Sequence, residues 1–204
     1  TKSLASFLSD VASEKPTPGG GAVSALVGNL GTSLLIMVCN LTIGKKAYAA
    51  YEEKMKELKN TLDVYAQRFY NLIQLDCDAF DRVMSAFKLP KEDKERENKI
   101  QEALRNAINV PMEIMEKSLA VLKLSSFIVE FGNKNAISDC GVGVNLLYSA
   151  IKSAHYNVLI NLLSLKDEEE KRSLKEKSEK ILKEGEKLLK ELEEKIFQRL
   201  SVKN

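Results

Sequence analysis

Asp76 occupies a position where the sequence pattern calls for an apolar residue. Met55, Leu58, Leu62, Tyr65, Phe69 and Leu72, then Phe80, Val83 and Phe87, recur in steps of three and four with one gap, and Asp76 falls in that gap. A carboxylate on the core stripe of a helix is costly unless it is paired, hydrogen-bonded or protonated. Burial raises its pKa toward the range useful for general acid–base work. The structural alternative is an ion pair with a Lys or Arg from another helix. Asp78 lies off the stripe, so Asp76-Cys77-Asp78 is a weak metal motif.

The segment Pro16-Thr17-Pro18-Gly19-Gly20-Gly21 is a second place for chemistry. Glycines that open a helix expose backbone N–H groups, which suit a phosphate, a carboxylate or a polarised carbonyl. No Gly-Lys-Ser/Thr follows, so this is not a P-loop. A tight turn that merely seats the next helix would use the same residues. Lys45 and Lys46, just past Gly44, suit an anionic tail or the negative end of a helix dipole. Asn133, Ser138 and Asp139 surround one loop and helix start, where Ser138 and Asp139 are more naturally caps than catalysts. His155 is the single histidine and supports no metal site by itself. Cys77 has no basic neighbour in sequence to activate its thiol.

These residues need helices to position them. The patterns predict an all-α chain: a bundle of five to six mostly long helices with no convincing strand. The expected spans are about 2–14, 21–43, 47–87, a fourth through Ile100, Leu104, Ile108, Met112, Met115, Leu119 and Leu122, then about 139–164 and 166–200. Pro111 is expected to kink or weaken the fourth. The second has no charge between Lys15 and Lys45, and Gly21, Ala25, Gly28 and Thr32 recur on one face. That run is long enough to span a bilayer, but its Asn, Ser, Thr and small residues fit a helix buried at the centre of a bundle or dimer. The last segment alternates charge around a stripe of Leu174, Ile181, Leu188, Leu192, Ile196 and Leu200. It reads as an amphipathic helix that packs along the bundle or pairs with a partner helix. Residues 1–204 are expected to form a single domain, with 165–204 as its C-terminal helix.

Composition narrows the function classes. The chain has 204 residues, 44% hydrophobic, with a net charge of +2, enough for one substantial core and too balanced for a global nucleic-acid binder. One His and three Cys all but exclude a multi-histidine or four-cysteine zinc site. Cys39, Cys77 and Cys140, odd in number and widely spaced, fit a reducing compartment. Nothing near Thr1 resembles a signal peptide, and the expected location is cytoplasmic.

From Pro16 to Leu26 (Pro-Thr-Pro-Gly-Gly-Gly-Ala-Val-Ser-Ala-Leu) the chain resembles the cyclodeaminase domain of the formiminotransferase-cyclodeaminase family. The likeness continues in order through Met37 to Lys46, Leu75 to Lys91 with Asp76, Asp78-Ala79-Phe80 and Leu89-Pro90-Lys91, then Val110-Pro111, Gly132-Asn133, Ser138-Asp139 and Asn157 to Leu162. The resemblance implies a helical homodimer and tetrahydrofolate one-carbon chemistry. It implies conversion of 5-formimino-tetrahydrofolate to 5,10-methenyl-tetrahydrofolate with loss of ammonia. The alternative is methenyl-tetrahydrofolate cyclohydrolase, in which water adds to the same carbon. A non-catalytic folate-binding or scaffold dimer is the third reading. Asp76 looks like the family's catalytic aspartate. Gly19, Gly20, Gly21, Asn133, Ser138 and Asp139 look like the lining of the folate site, with Lys45 or Lys46 toward the glutamate tail. No metal or redox cofactor is implied, the tetrahydrofolate derivative being substrate, and neither nucleic acid nor membrane is an expected partner.

Overall fold

A computed structural model of the protein describes residues 3–201, and among these every regular element is helical. The helices are α1 (Leu4–Val11), α2 (Gly20–Thr42), α3 (Glu52–Phe87), α4 (Arg96–Phe131), α5 (Ile137–Leu162) and α6 (Glu168–Ser201), with short 3-10 segments at Lys46–Tyr51 and Lys134–Ala136. Helix α2 packs against α3, α4 and α5, while α6 lies along α4 and α5.

The close approach of α2 to its neighbours follows from its small residues. Gly21, Ala25, Gly28 and Thr32 are all buried, as the sequence pattern predicts. A methyl group added at Gly28 would sit 2.7 Å from the Phe69 ring, and one at Gly31 would sit 2.7 Å from the Gly143 carbonyl. Gly31 and Gly143 therefore form the crossing of α2 and α5, whose chains run antiparallel: Gly20 faces Asn157 at one end, and Thr42 meets Asn133 at the other. Gly44, with φ +75°, turns the chain out of α2 in a conformation that suits glycine.

Burial of α2 is one-sided. Its outer face is an apolar stripe of Val23, Leu26, Leu30, Leu34, Met37 and Leu41, of which Leu30, Met37 and Leu41 are 49%, 36% and 42% exposed. The helix is long and apolar enough to cross a membrane by length and composition, yet half of its most apolar window is buried in the bundle.

Several local expectations change. The third helix begins only at Glu52, after the 3-10 segment. Its core residues toward the C-terminus are Ala79, Val83 and Ala86, while Phe80 and Phe87 are 37% and 44% exposed. A straight α-helix advances 100° per residue, so a stripe followed by threes and fours drifts off the face over many turns. Helix α5 starts at Ile137 with Ala136 as its N-cap, so Ser138 and Asp139 sit inside the first turn and are not the caps. The first helix is shorter than expected, is capped by the Ser3 hydroxyl, and has no buried residue. Helix α4 runs unbroken through Pro111. All seven apolar residues predicted for its core face are buried.

The last helix packs along the bundle. Ile181, Leu192 and Ile196 are buried, and ion pairs Arg105–Glu170, Lys177–Glu116, Lys123–Glu184 and Lys195–Glu130 run down the α4–α6 seam. At its end the Arg199 guanidinium donates to the Val129 and Gly132 carbonyls, covering acceptors that α4 leaves open at its C-terminus. Arg68 and Glu113 pair bidentately, both bonds 2.7 Å, and tie α3 to α4.

Candidate active site

The glycine segment and Asp76 meet in space although 54 residues separate the partners. The Ala22 N–H, in the first turn of α2, donates to Asp76 Oδ2 at 2.8 Å. A helix start leaves its first amides without helical acceptors, and α3 supplies a carboxylate to one of them. Gly19 is the N-cap and has no side chain to take that role. An alanine methyl at Gly21 would lie 1.9 Å from Asp76 Oδ1, so only glycine leaves room for the carboxylate.

Asp76 is half-buried, and no Lys or Arg pairs with it among the described residues. The ion-pair alternative is thus not what the structure contains. Burial raises the Asp76 carboxyl above its ordinary value, against the lowering effect of the Ala22 amide. The same burial, with the charges of Asp76, Asp78 and Asp81, raises the Cys77 thiol, so Cys77 is not an activated thiolate. Cys39 and Cys140 are buried and free, their thiols pushed up to about 12, chiefly by burial.

A cavity of about 290 Å³ opens at this junction, walled by the Pro16–Gly21 segment, Asp76, Phe80, Asn157, Ile160 and Asn161. Its volume is near the low end for ligand pockets, enough for a compact ring system. Asp76 is the carboxylate in its wall, with the glycine backbone beside it and Phe80 and Ile160 as apolar surface. A half-buried acid beside free helix-start amides can exchange a proton with a bound ligand and offset charge that develops on it.

The other expected site residues lie elsewhere. Lys45, Lys46, Asn133, Ser138 and Asp139 gather near the C-terminal end of α2 and the start of α5. The 23 residues of α2 separate the two ends by about 34 Å. Asn133 is engaged there: its backbone N–H donates to Thr42 Oγ1, its Nδ2 to the Leu41 carbonyl, and its Oδ1 accepts from the Asn135 N–H. Lys45 and Lys46 are exposed. Within one chain, then, Gly19–Gly21 and Asp76 are brought together, and these five residues are not brought to them.

Asn157 and Asn161 fall in the last sequence block of the family resemblance with no site role assigned there, and the structure places both in the pocket wall. Their spacing of four puts them on one face of α5, which is a signal legible in the sequence. His155, two residues earlier, faces away toward α6. It is buried, its Nδ1 has no partner, and burial lowers its pKa, with Glu179 opposing and Lys175 assisting. Among the described residues no group of three or more His, Cys, Asp or Glu side chains converges as a metal cage.

A helical bundle with an acid wedged against a glycine-opened helix defines a class of fold that comparison with known proteins makes specific. The sequence model of the Formiminotransferase-cyclodeaminase family matches residues 3–180, and the chain belongs to that family. A methenyltetrahydrofolate cyclohydrolase from Methylorubrum extorquens is 41% identical over 170 residues, which is 81% of this chain and 82% of the relative. The formimidoyltransferase-cyclodeaminase of Rattus norvegicus is 30% identical over 186 residues, covering 89% of this chain but 34% of the rat protein. The chain therefore spans about a third of such longer relatives. In fold it is similar to the crystal structure of formiminotetrahydrofolate cyclodeaminase from Thermotoga maritima, with a TM-score of 0.83, 31% identity, and coverage of 98% of this chain and 96% of that one. The chain is thus of a folate one-carbon enzyme family with an all-α fold.

Proposed function

We propose that this protein acts on the single carbon held between N5 and N10 of tetrahydrofolate, with Asp76 as the group that moves the proton. The observation that carries this reading is the Asp76 carboxylate, raised by burial and hydrogen-bonded to the first turn of α2, in a pocket sized for a bicyclic ring.

Of the two reactions in the family, we place the cyclohydrolase first. This reverses the order suggested by the sequence motifs, because the 41% identical relative is a cyclohydrolase matched over 82% of its own length. In that reaction water adds its oxygen to the cationic methenyl carbon and gives up a proton to Asp76. The C–N bond to one of the two nitrogens then opens, that nitrogen takes the proton held by Asp76, and the hydroxyl loses its remaining proton to water as it becomes the carbonyl of a formyl group on the other nitrogen. A carboxylate also offsets the charge of the bound cation. The second reading is the cyclodeaminase, favoured by the likeness to the Thermotoga maritima enzyme over nearly the whole of both chains. There N10, the nitrogen that does not carry the formimino group, attacks the formimino carbon and loses its proton, and a proton delivered to the departing imino nitrogen releases it as ammonia. One residue serves both directions of proton flow: its carboxylate takes a proton and its acid form returns one, and burial, which raises its pKa, favours the acid form relative to an exposed Asp.

Paired spectrophotometric assays distinguish these readings. The cyclohydrolase consumes methenyl-tetrahydrofolate absorbance faster than buffer does. The cyclodeaminase generates that absorbance from 5-formimino-tetrahydrofolate and releases ammonia. Asp76→Asn is expected to lower kcat by about a hundredfold or more in whichever assay is positive, with folding preserved because the amide oxygen still accepts from Ala22. Silence of the wild-type enzyme in both assays, with folate still bound, would leave a binding protein or scaffold instead.

The functional unit we infer is a homodimer in a cytoplasmic setting. Support comes from the exposed apolar stripe on α2, which needs a cover in water. Lys45 or Lys46 would reach the glutamate tail of a folate whose ring sits in the pocket only from a second copy, given the length of α2.

A further inference from the structure

The pocket is rich in hydrogen-bond acceptors, and the cause of one of them lies in another helix. Pro111 sits inside α4 and has no N–H, so the carbonyl of Ala107, four residues before it, lacks its helical donor. Asn161 Nδ2 fills that vacancy from α5, donating to the Ala107 carbonyl at 2.9 Å. A carbonyl can only accept, so this bond fixes which end of the Asn161 amide is nitrogen and leaves Oδ1 as its free acceptor. Asn157 is fixed in the same sense one turn earlier. Its Nδ2 donates to the Ser153 carbonyl at 2.9 Å, and its Oδ1 faces the first residue of α2, 3.2 Å from where a side chain on Gly20 would begin. With the Asp76 carboxylate, the pocket thus carries three side chains that present acceptors.

Asp76 being assigned to the reacting carbon, the two asparagines call for a ligand that presents an N–H donor on the edge away from that carbon. We propose that Asn161, assisted by Asn157, is the specificity-determining contact for the 2-amino-pyrimidinone edge of the pterin, accepting from its 2-amino group. This rests on the folate reading above and deepens it. The chain's device is a proline on α4 that strips a carbonyl of its donor, so that an asparagine on α5 is held by a tertiary bond and not by the ligand. Pre-setting the amide lowers the ordering cost of binding. The 290 Å³ cavity accommodates the bicyclic ring and leaves the aminobenzoyl-glutamate portion outside it.

The test is calorimetric binding of two probes to the full chain. One is 5-formyl-tetrahydrofolate, and the other is its analogue with methyl in place of the 2-amino group. The wild-type protein is expected to prefer the first by about tenfold or more, as sites built on a hydrogen bond do. Asn161→Ala is expected to bring the two within about threefold by removing the acceptor. Pro111→Ala returns an N–H to α4 and frees the Asn161 amide to rotate, so it is expected to reduce the preference partway without loss of fold, and it carries the test should Asn161→Ala not fold. A full preference retained in Asn161→Ala would overturn the assignment, and so would one retained in Pro111→Ala. Equal binding of both probes by the wild-type protein would overturn it too while leaving the folate reading standing. Failure of the wild-type protein to bind either probe would overturn the folate reading itself.

Discussion

At the scale of residues, the three glycines before α2 are not equivalent. A methyl at Gly19 would meet the Pro16 carbonyl at an ordinary 3.6 Å, and one at Gly20 would meet Asn157 Oδ1 at 3.2 Å. One at Gly21 would occupy the space of Asp76 Oδ1. Gly21→Ala is therefore expected to displace the acid, lowering kcat/KM by about a hundredfold and stability by about 1–3 kcal/mol. Gly19→Ala, whose methyl meets no side chain, should lower both by much less, through its weaker N-cap. Parallel assays and thermal melts check this, and equal effects of the two substitutions would separate Asp76 from the glycine segment. If Asp76 works as a base, the acid limb of kcat/KM should lie above the ordinary Asp value of about 3.9, because burial raises the carboxyl. Asp76 itself was legible in the sequence as a break in an apolar stripe. Its hydrogen-bond partner was not, because no local pattern links residues 22 and 76.

Between elements, the critical contact is the backbone approach of α2 and α5. Gly31→Val would drive its side chain into the Gly143 carbonyl and the Leu147 side chain. The expected loss is about 3 kcal/mol, or about 6–12 °C for a chain of this size. The equivalent change at Ser33, exposed on the same helix, should cost little. His155 sits between α5 and α6, and its linkage has a definite sign. Burial lowers its folded pKa, so the unfolded chain binds the proton more readily. Stability is complete above the unfolded value of about 6.5 and falls as pH drops below it toward the lowered folded value. The melting temperature should be lower at pH 5.5 than at pH 7.5, and His155→Leu should shrink that difference. An undiminished difference in the variant would assign it to other groups. Helix spans for α2, α5 and α6 followed from periodicity to within about two residues, and that of α3 did except at its start. The core face at the end of α3 did not, because a long stripe drifts around a straight helix and brought Ala79 and Ala86 inward in place of Phe80 and Phe87.

For the molecule as a whole, the outer stripe of α2 predicts a second copy. Light scattering should give twice the chain mass of 22.8 kDa at micromolar concentration. Leu30→Asp with Met37→Asp should return it to the monomer mass, because a charge in a dry apolar interface is expensive. A wild-type monomer would leave the stripe unexplained and would separate Lys45 and Lys46 from the pocket.

The sequence by itself determined the helical class, the faces of most helices, the small-residue side of α2 and the family, and it singled out Asp76 and the glycine segment as the candidate chemical centre. Each of these is written in spacing or in local residue type, which the chain carries before it folds. Only the tertiary structure decided that Ala22 binds Asp76, that Lys45, Lys46, Asn133, Ser138 and Asp139 gather some 34 Å away along α2, and that Asn161 answers Pro111 across two helices. Those outcomes depend on how helices cross and in which direction they run. That is settled by the fit of surfaces such as Gly31 against Gly143, a property of two segments together and of neither alone.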